Sequence, residues 1–207
     1  MQEVIINPKQ NTKQIKGAGV VRIIGGQWRG RKLPVPVSED LRPTGDRIRE
    51  TLFNWLQFEW EGSQWLDMFA GSGALGFEAL SRGASEVVML EKGTLVAKQL
   101  QANKQLLAAK GASIVNTDSQ KWLLNNPQQK TFDGVFLDPP FRDADLDLWL
   151  KLLINQGWLK PNAWLYIEQP KERVLSLPYL RAYRQQQSGG VSFGLWQLQM
   201  PESELVS

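Results

Sequence analysis

Neither cysteine nor histidine occurs anywhere in the 207 residues of this chain. Without cysteine there is no disulfide, no thiolate nucleophile and no sulfur-ligated metal; without histidine the Ser-His triads and common zinc sites fall away too. Chemistry must therefore run on carboxylates, hydroxyls, amines, backbone groups or a bound cofactor, and no metal is expected. Long apolar runs are also missing. None approaches the ~18 residues a membrane span needs, and the opening "MQEVIINPKQ" lacks the charged-then-apolar layout of a signal peptide. These absences suit a cytoplasmic protein that works without a membrane.

What is present is an ordinary globular composition, 42% hydrophobic and 22% charged. A chain of this length folds as one α/β domain that buries roughly 70% of its unfolded surface, with room for a small appendage. Charge is unevenly spread: residues 1–49 hold ten Lys and Arg against four Asp and Glu, a surplus of six set against a net charge of +3 for the whole. A basic end on a mildly acidic body suits a polyanionic partner, and a solvated lysine-rich tail is the alternative.

The segment "VVRIIGGQWRGRKLPVP" reads as short strands around a glycine-rich turn closed by Pro34 and Pro36. In "RPTGDRIRETLFNWLQFEW", Ile48, Leu52, Trp55 and Leu56 share one helical face, while Arg47, Arg49, Glu50 and Asn54 are expected to turn away from it. Pro43 and Thr44 suit the start of that helix. From "QWLDMF" to "AWLYIEQ" strand-like and helix-like runs alternate, which implies parallel strands with helices on both faces. The last stretch, "LRAYRQQQSGGVSFGLWQLQM", is two strand-like runs about Ser188, Gly189 and Gly190, hence an antiparallel hairpin at the sheet edge. The expected fold is a Rossmann-like, mostly parallel seven-stranded sheet with a C-terminal antiparallel hairpin, the architecture of the class I methyltransferases. Residues 1–42 are expected to form a basic β extension, 43–200 the main domain and 201–207 a frayed tail.

"LDMFAGSGALGFEAL" holds Gly71, Gly73 and Gly76 in a complete G-x-G-x-x-G, with Glu91 closing the next strand. By that fingerprint an NAD-dependent oxidoreductase has to be weighed. Asp67 speaks for a different ligand, because a carboxylate at that strand end repels a pyrophosphate and attracts the ammonium of a methionine moiety. Glu91 could then accept from two ribose hydroxyls and Asp118, closing "ASIVNTD", from an adenine amine; three acids at successive strand ends match S-adenosylmethionine from one end to the other. The competing reading is that such acids cap helices. Phe69, Ser72, Lys92 and Ser119, beside these residues in the chain, are assigned to the same cofactor site.

"FDGVFLDPPF" ends an otherwise buried strand on Asp138, Pro139, Pro140 and Phe141. A residue before proline is held extended and prolines carry no N–H, so the Asp138 carboxylate and the Pro139 carbonyl form a stiff pair of acceptors without competing donors. A planar exocyclic amine has the two hydrogens such a corner wants, and Phe141 offers a π-face to its ring. Drawing those hydrogens out of plane aims the nitrogen lone pair at a sulfonium methyl, and no strong base is needed. The bland alternative is a proline-rich turn.

On "RIIGGQWRGRKLPVP", "LRPTGDRIRETLFNWL", "LDMFAGSGALGFEALSRGA", "LEK" and "LDPPF" the chain resembles the RsmD family of bacterial 16S rRNA guanine-N2 methyltransferases over roughly residues 20 to 195. The resemblance implies a guanine of small-subunit rRNA as substrate and a cleft by the cofactor lined by Arg42, Pro43, Thr44, Arg47 and Glu50; a monomer is expected. Gly45 departs from the family pattern. RNA contacts are assigned to Arg22, Trp28, Arg29, Arg31, Lys32, Arg42 and Arg47, where cations interleave with an aromatic and flexible glycines; for Trp28 a place in the core is the competing reading. Adenine-N6 methylation of DNA or RNA, and an RNA-binding assembly factor that keeps a cofactor pocket, remain as other readings.

Overall fold

The computed structural model describes residues 19–36, 45–126, 130–140, 145–173 and 179–199. Seven strands form one sheet in the order β5-β4-β3-β6-β7-β9-β8: β3 (Gln64–Asp67), β4 (Glu86–Glu91), β5 (Ala112–Asn116), β6 (Phe132–Leu137), β7 (Leu159–Pro170), β8 (Leu180–Ser188) and β9 (Val191–Leu198). Strands β3 to β7 pair in parallel, whereas β9 runs antiparallel to both β7 and β8. The strand order reverses beside β3, so the crevice beyond the carboxyl ends of β3, β4 and β6 is the position where such sheets take ligands. This is the expected architecture, hairpin included.

Helices α1 (Asp46–Trp55), α2 (Ala74–Arg82), α3 (Thr94–Leu107), α4 (Ser119–Asn125) and α5 (Leu146–Asn155) cover the sheet. Because both faces are covered, β4 and β6 are apolar almost throughout rather than alternating. One face is packed by Leu52, Phe53, Trp65, Phe136 and Tyr166, the other by Leu66, Met68, Leu137, Leu150 and Ile167. Under α1 the rings of Phe53 and Trp60 lie 4.9 Å apart, and those of Trp65 and Phe136 stack at 4.8 Å.

Strands β1 (Gly19–Arg22) and β2 (Lys32–Val35) form a separate antiparallel pair joined through a short 3-10 turn at Gly26–Trp28. The pair is bolted along α2. Amides of Ile24 and Gly25 donate to the Glu78 carboxylate at 2.7 and 2.8 Å, and the Trp28 amide donates to Ser81 Oγ at 2.9 Å. Glu78 is fully buried; it also accepts from Arg82 Nε at 2.8 Å and lies 4.0 Å from Arg49 Nη1. Arg49 departs from expectation, for it is 1% exposed rather than turned outward. Its Nη2 donates to the Arg22 carbonyl and to Asp46, so one buried guanidinium ties α1 to the N-terminal hairpin. Helical periodicity ranks Arg49 as a surface residue because the acid that draws it inward stands 29 positions away, on another helix.

Candidate cofactor and target-amine site

The loop between β3 and α2 needs its glycines. Gly71 and Gly73 take positive φ of 49° and 76°, and a Cβ on Gly73 would meet Leu100 at 2.6 Å and Phe77 at 2.7 Å. Gly73 caps α2 without a side-chain bond, which leaves amides of the first turn directed toward the crevice. Glu91, at the end of β4, braces this loop: its Oε2 accepts from the Gly71 amide at 3.0 Å and its Oε1 from the Gly93 amide at 2.6 Å. Each oxygen keeps a second lone pair.

Asp67 closes β3 in register with Met89 and Phe136, 3% exposed, and accepts from the backbone amides of Phe69 and Gly76. Its Oδ2 has no hydrogen-bond partner. Burial pushes the carboxyl up to about 7; the two amides pull it down, and the nearby Glu91 charge adds a smaller upward push. A buried carboxylate with an unmet oxygen is a place made for a cation. An ammonium fits there, and a dinucleotide pyrophosphate does not.

At the end of β5, Asp118 does what the competing reading expected: it caps α4, with Oδ1 accepting from Gln120 and Lys121 amides at 3.1 and 3.2 Å. Its other oxygen lies 3.4 Å from Lys92 Nζ. Although the modest burial of Asp118 raises its carboxyl, the Lys121 amide and the Lys92 ammonium outweigh it and hold the group below the usual carboxylate range. Lys92 is well exposed and engages the site through this ion pair. Ser119 is buried with its hydroxyl donated to the Met68 carbonyl, so that side chain stitches α4 to β3. Phe69 meets Trp149 of α5 edge-on at 5.4 Å, and Ser72 is buried within the glycine loop.

Asp138 and Pro139 follow β6 directly, half-buried and buried, with Pro140 exposed. The acid-proline corner thus stands beside the end of β3, beginning two residues beyond Phe136, the register partner of Asp67. Phe141, Thr44 and Arg42 lie outside the described residues, as does Pro43.

Arg42 aside, which lies outside the described residues, the proposed RNA residues stand on the N-terminal hairpin and on α1. Trp28 is partly buried and packs on the core, Arg31 donates to the Leu106 carbonyl in the last turn of α3, and Arg29 and Lys32 are exposed beside them. Trp28, whose amide meets Ser81, sits at the carboxyl end of α2, roughly 13 Å from the glycine loop at 1.5 Å per residue. Arg22 and Arg47 are exposed on β1 and α1. Sequence reasoning missed Glu78 and Arg49, and the one available signal was a lone acid inside the apolar run "GALGFEAL". Tyr166 and Glu168 on β7 left no signal beyond an acid in a buried strand.

Sheet order, glycine loop and strand-end acids define an S-adenosylmethionine-dependent methyltransferase. Residues 21–197 match the family model described as Conserved hypothetical protein 95, and the chain belongs to that family. Its relatives include the Ribosomal RNA small subunit methyltransferase D of Haemophilus influenzae, 49% identical over 86% of this chain and 94% of that protein. The Escherichia coli protein of the same name is 46% identical over 87% of this chain and 91% of its own length. Among solved structures, the putative methyltransferase yhhF from Escherichia coli superposes with a TM-score of 0.79 at 43% identity, covering 87% of this chain and 99% of that one.

An ammonium held at Asp67 would make cofactor binding pH-dependent in a defined sense. Such an ammonium needs the ionised acid, so with the carboxyl pushed up to about 7 binding at lower pH would first have to expel a proton from Asp67. Affinity for S-adenosylmethionine is expected to fall about tenfold per pH unit below that point and to level off above it, until the cofactor's own α-amino group deprotonates near pH 8. Calorimetric titration from pH 5.5 to 7.5, in roughly half-unit steps, reads this slope, and Asp67→Asn should abolish it along with most of the affinity. A flat profile in the native chain would remove Asp67 from the ammonium site.

Proposed function

We propose that this protein transfers a methyl group from S-adenosylmethionine to the exocyclic N2 of a guanine in 16S rRNA, with the small ribosomal subunit or its precursor as the physical substrate. The observation that carries the reading is the corner after β6, where the Asp138 carboxylate and the Pro139 carbonyl stand at the carboxyl edge of the sheet beside the buried acid of β3. In this reading Asp67 receives the ammonium of the cofactor, Gly71, Ser72 and Gly73 with Phe69 line its central part, Glu91 takes the ribose hydroxyls, and Asp118, with Lys92 and Ser119 behind it, takes the adenine. Thr44 closes the methionine end.

Asp138 and Pro139 accept the two hydrogens of the base amine, which favours a tetrahedral nitrogen, while Pro140 keeps the corner stiff and Phe141 stacks on the base. As the nitrogen takes the methyl it becomes acidic and releases its proton by way of Asp138. The names borne by the relatives support rRNA over DNA. The N-terminal hairpin, held rigidly on α2, offers exposed Arg22, Arg29 and Lys32 to phosphates of the same RNA, and α1 offers Arg47, with Arg42 assigned to the same role. Trp28 and Arg31 shape that hairpin. The working unit is a cytoplasmic monomer.

Labelled S-adenosylmethionine and small-subunit particles lacking the modification provide the test, with nucleoside mass spectrometry of the product. N2-methylguanosine is the expected product. N6-methyladenosine would move the target to the other base amine, and RNA without label alongside cofactor binding would leave an assembly factor.

A further inference from the structure

Strand β7 carries two polar side chains that neither the cofactor nor the target assignments use. Tyr166 is fully buried and Glu168 is 5% exposed. The tyrosine hydroxyl donates to Glu168 Oε1 at 2.7 Å. Two residues apart on one strand, they face the same side of the sheet. Phe136 pairs with Tyr166 and Leu137 with Ile167, so Asp138 leaves β6 at the level of Glu168. Held extended by the proline that follows, Asp138 turns to the face that Phe136 and Tyr166 share.

The Asp138 charge acts on the Tyr166 hydroxyl, which is held well above the usual tyrosine range by burial first, then by Glu168 and Asp138. The hydroxyl therefore stays protonated and remains a donor. On the other flank Glu168 pairs with Phe193 of β9, and Phe193 stacks on Trp55 at 5.8 Å. Water is kept from the Glu168 side of the corner, so fixed charge there acts at low dielectric.

We propose that Glu168, pinned by the Tyr166 hydroxyl, is a positioning residue for methyl transfer: its carboxylate sets a second negative charge behind the corner where Asp138 receives the target amine. This rests on the amino-methyltransferase reading above. In the transfer the bond from sulfur to the methyl carbon breaks and the bond from nitrogen to that carbon forms. The sulfonium becomes a neutral thioether, and its positive charge passes to the nitrogen until a proton leaves through Asp138 to water. The nitrogen thus turns from neutral to cationic on a site where two acids are already oriented, and charge placed in advance stabilises the transition state more than the ground state. A tyrosine tied to Glu168 cannot be replaced by a mobile water, and that is what keeps the second acid in place.

The test compares the full-length chain with Glu168→Gln and Tyr166→Phe in single-turnover transfer from labelled S-adenosylmethionine to small-subunit particles lacking the modification, together with affinity for S-adenosylhomocysteine and thermal unfolding. Glu168→Gln keeps the shape and removes the charge; it is expected to slow transfer about 10- to 100-fold, with cofactor affinity and KM for RNA within about threefold. Tyr166→Phe is expected to slow transfer by a smaller factor with the same split, and Glu168→Asp to recover part of the rate. A full rate for Glu168→Gln overturns the proposal, and so does a loss that tracks cofactor affinity or unfolding. Should Glu168→Gln fail to fold, Tyr166→Phe decides, and an unchanged rate there overturns the proposal equally. A native chain that leaves the rRNA of such particles unlabelled would defeat the rRNA reading before any variant is compared. Labelled RNA with variants at full rate would defeat only the role of Glu168.

Discussion

Asp138→Ala is expected to lower single-turnover methyl transfer by about a hundred- to a thousandfold while leaving cofactor affinity within about tenfold. The split follows from where the groups stand. Asp138 follows β6, whereas the loop glycines, Asp67 and Glu91 belong to the ends of β3 and β4 and are braced by their own bonds to backbone amides. Alanine removes one of the two acceptors and leaves the Pro139 carbonyl, so the amine loses its out-of-plane pull on one side. Rapid-quench transfer to small-subunit particles measures the rate and calorimetry with S-adenosylhomocysteine the affinity. Undiminished transfer would remove Asp138 from the chemistry. Loss of both quantities together would make the corner a structural support of the cofactor site.

Glu78→Gln is expected to cost about 3 to 5 kcal/mol of stability, because it leaves a buried guanidinium without its internal counter-charge. Nε and Nη1 of Arg49 already lack hydrogen-bond partners, and Asp46, its other acid, is largely in solvent. The glutamine would also turn an N–H toward one of the two amides that Glu78 now accepts. For a chain of this size the loss corresponds to a melting point lower by about 6 to 20 °C. Denaturant or thermal unfolding reads it directly. If burial of the charge is the cause, then Glu78→Leu combined with Arg49→Met should be more stable than Glu78→Leu alone, since a removed ion pair costs less than half of one. A double variant no better than the single one would place the effect in the lost hairpin bonds instead.

The sheet and its helices were legible because their signals are local. A buried parallel strand such as "EVVMLE", a helix opened by the glycine loop, and an acid followed by two prolines each carry their chemistry within a few neighbouring residues. Asp118 shows where this stops, since capping α4 and facing an adenine look the same in one dimension and its bonds to Gln120 and Lys121 come only with the folded turn. Arg49 and Arg31 show it more strongly. Both read as surface cations, yet one is drawn inside by Glu78 and the other, still exposed, donates to the last turn of α3.

By itself, then, the sequence determined the fold class, the cofactor loop and the acid-proline corner, because periodicity, glycine backbone freedom and proline geometry are properties of adjacent residues. Tertiary structure alone decided which charges would be buried, that the basic turn lies a helix length from the glycine loop, and that Tyr166 and Glu168 stand behind Asp138. Those outcomes depend on segments far apart in the chain meeting at the cost of desolvation, and no local pattern records who the partner will be.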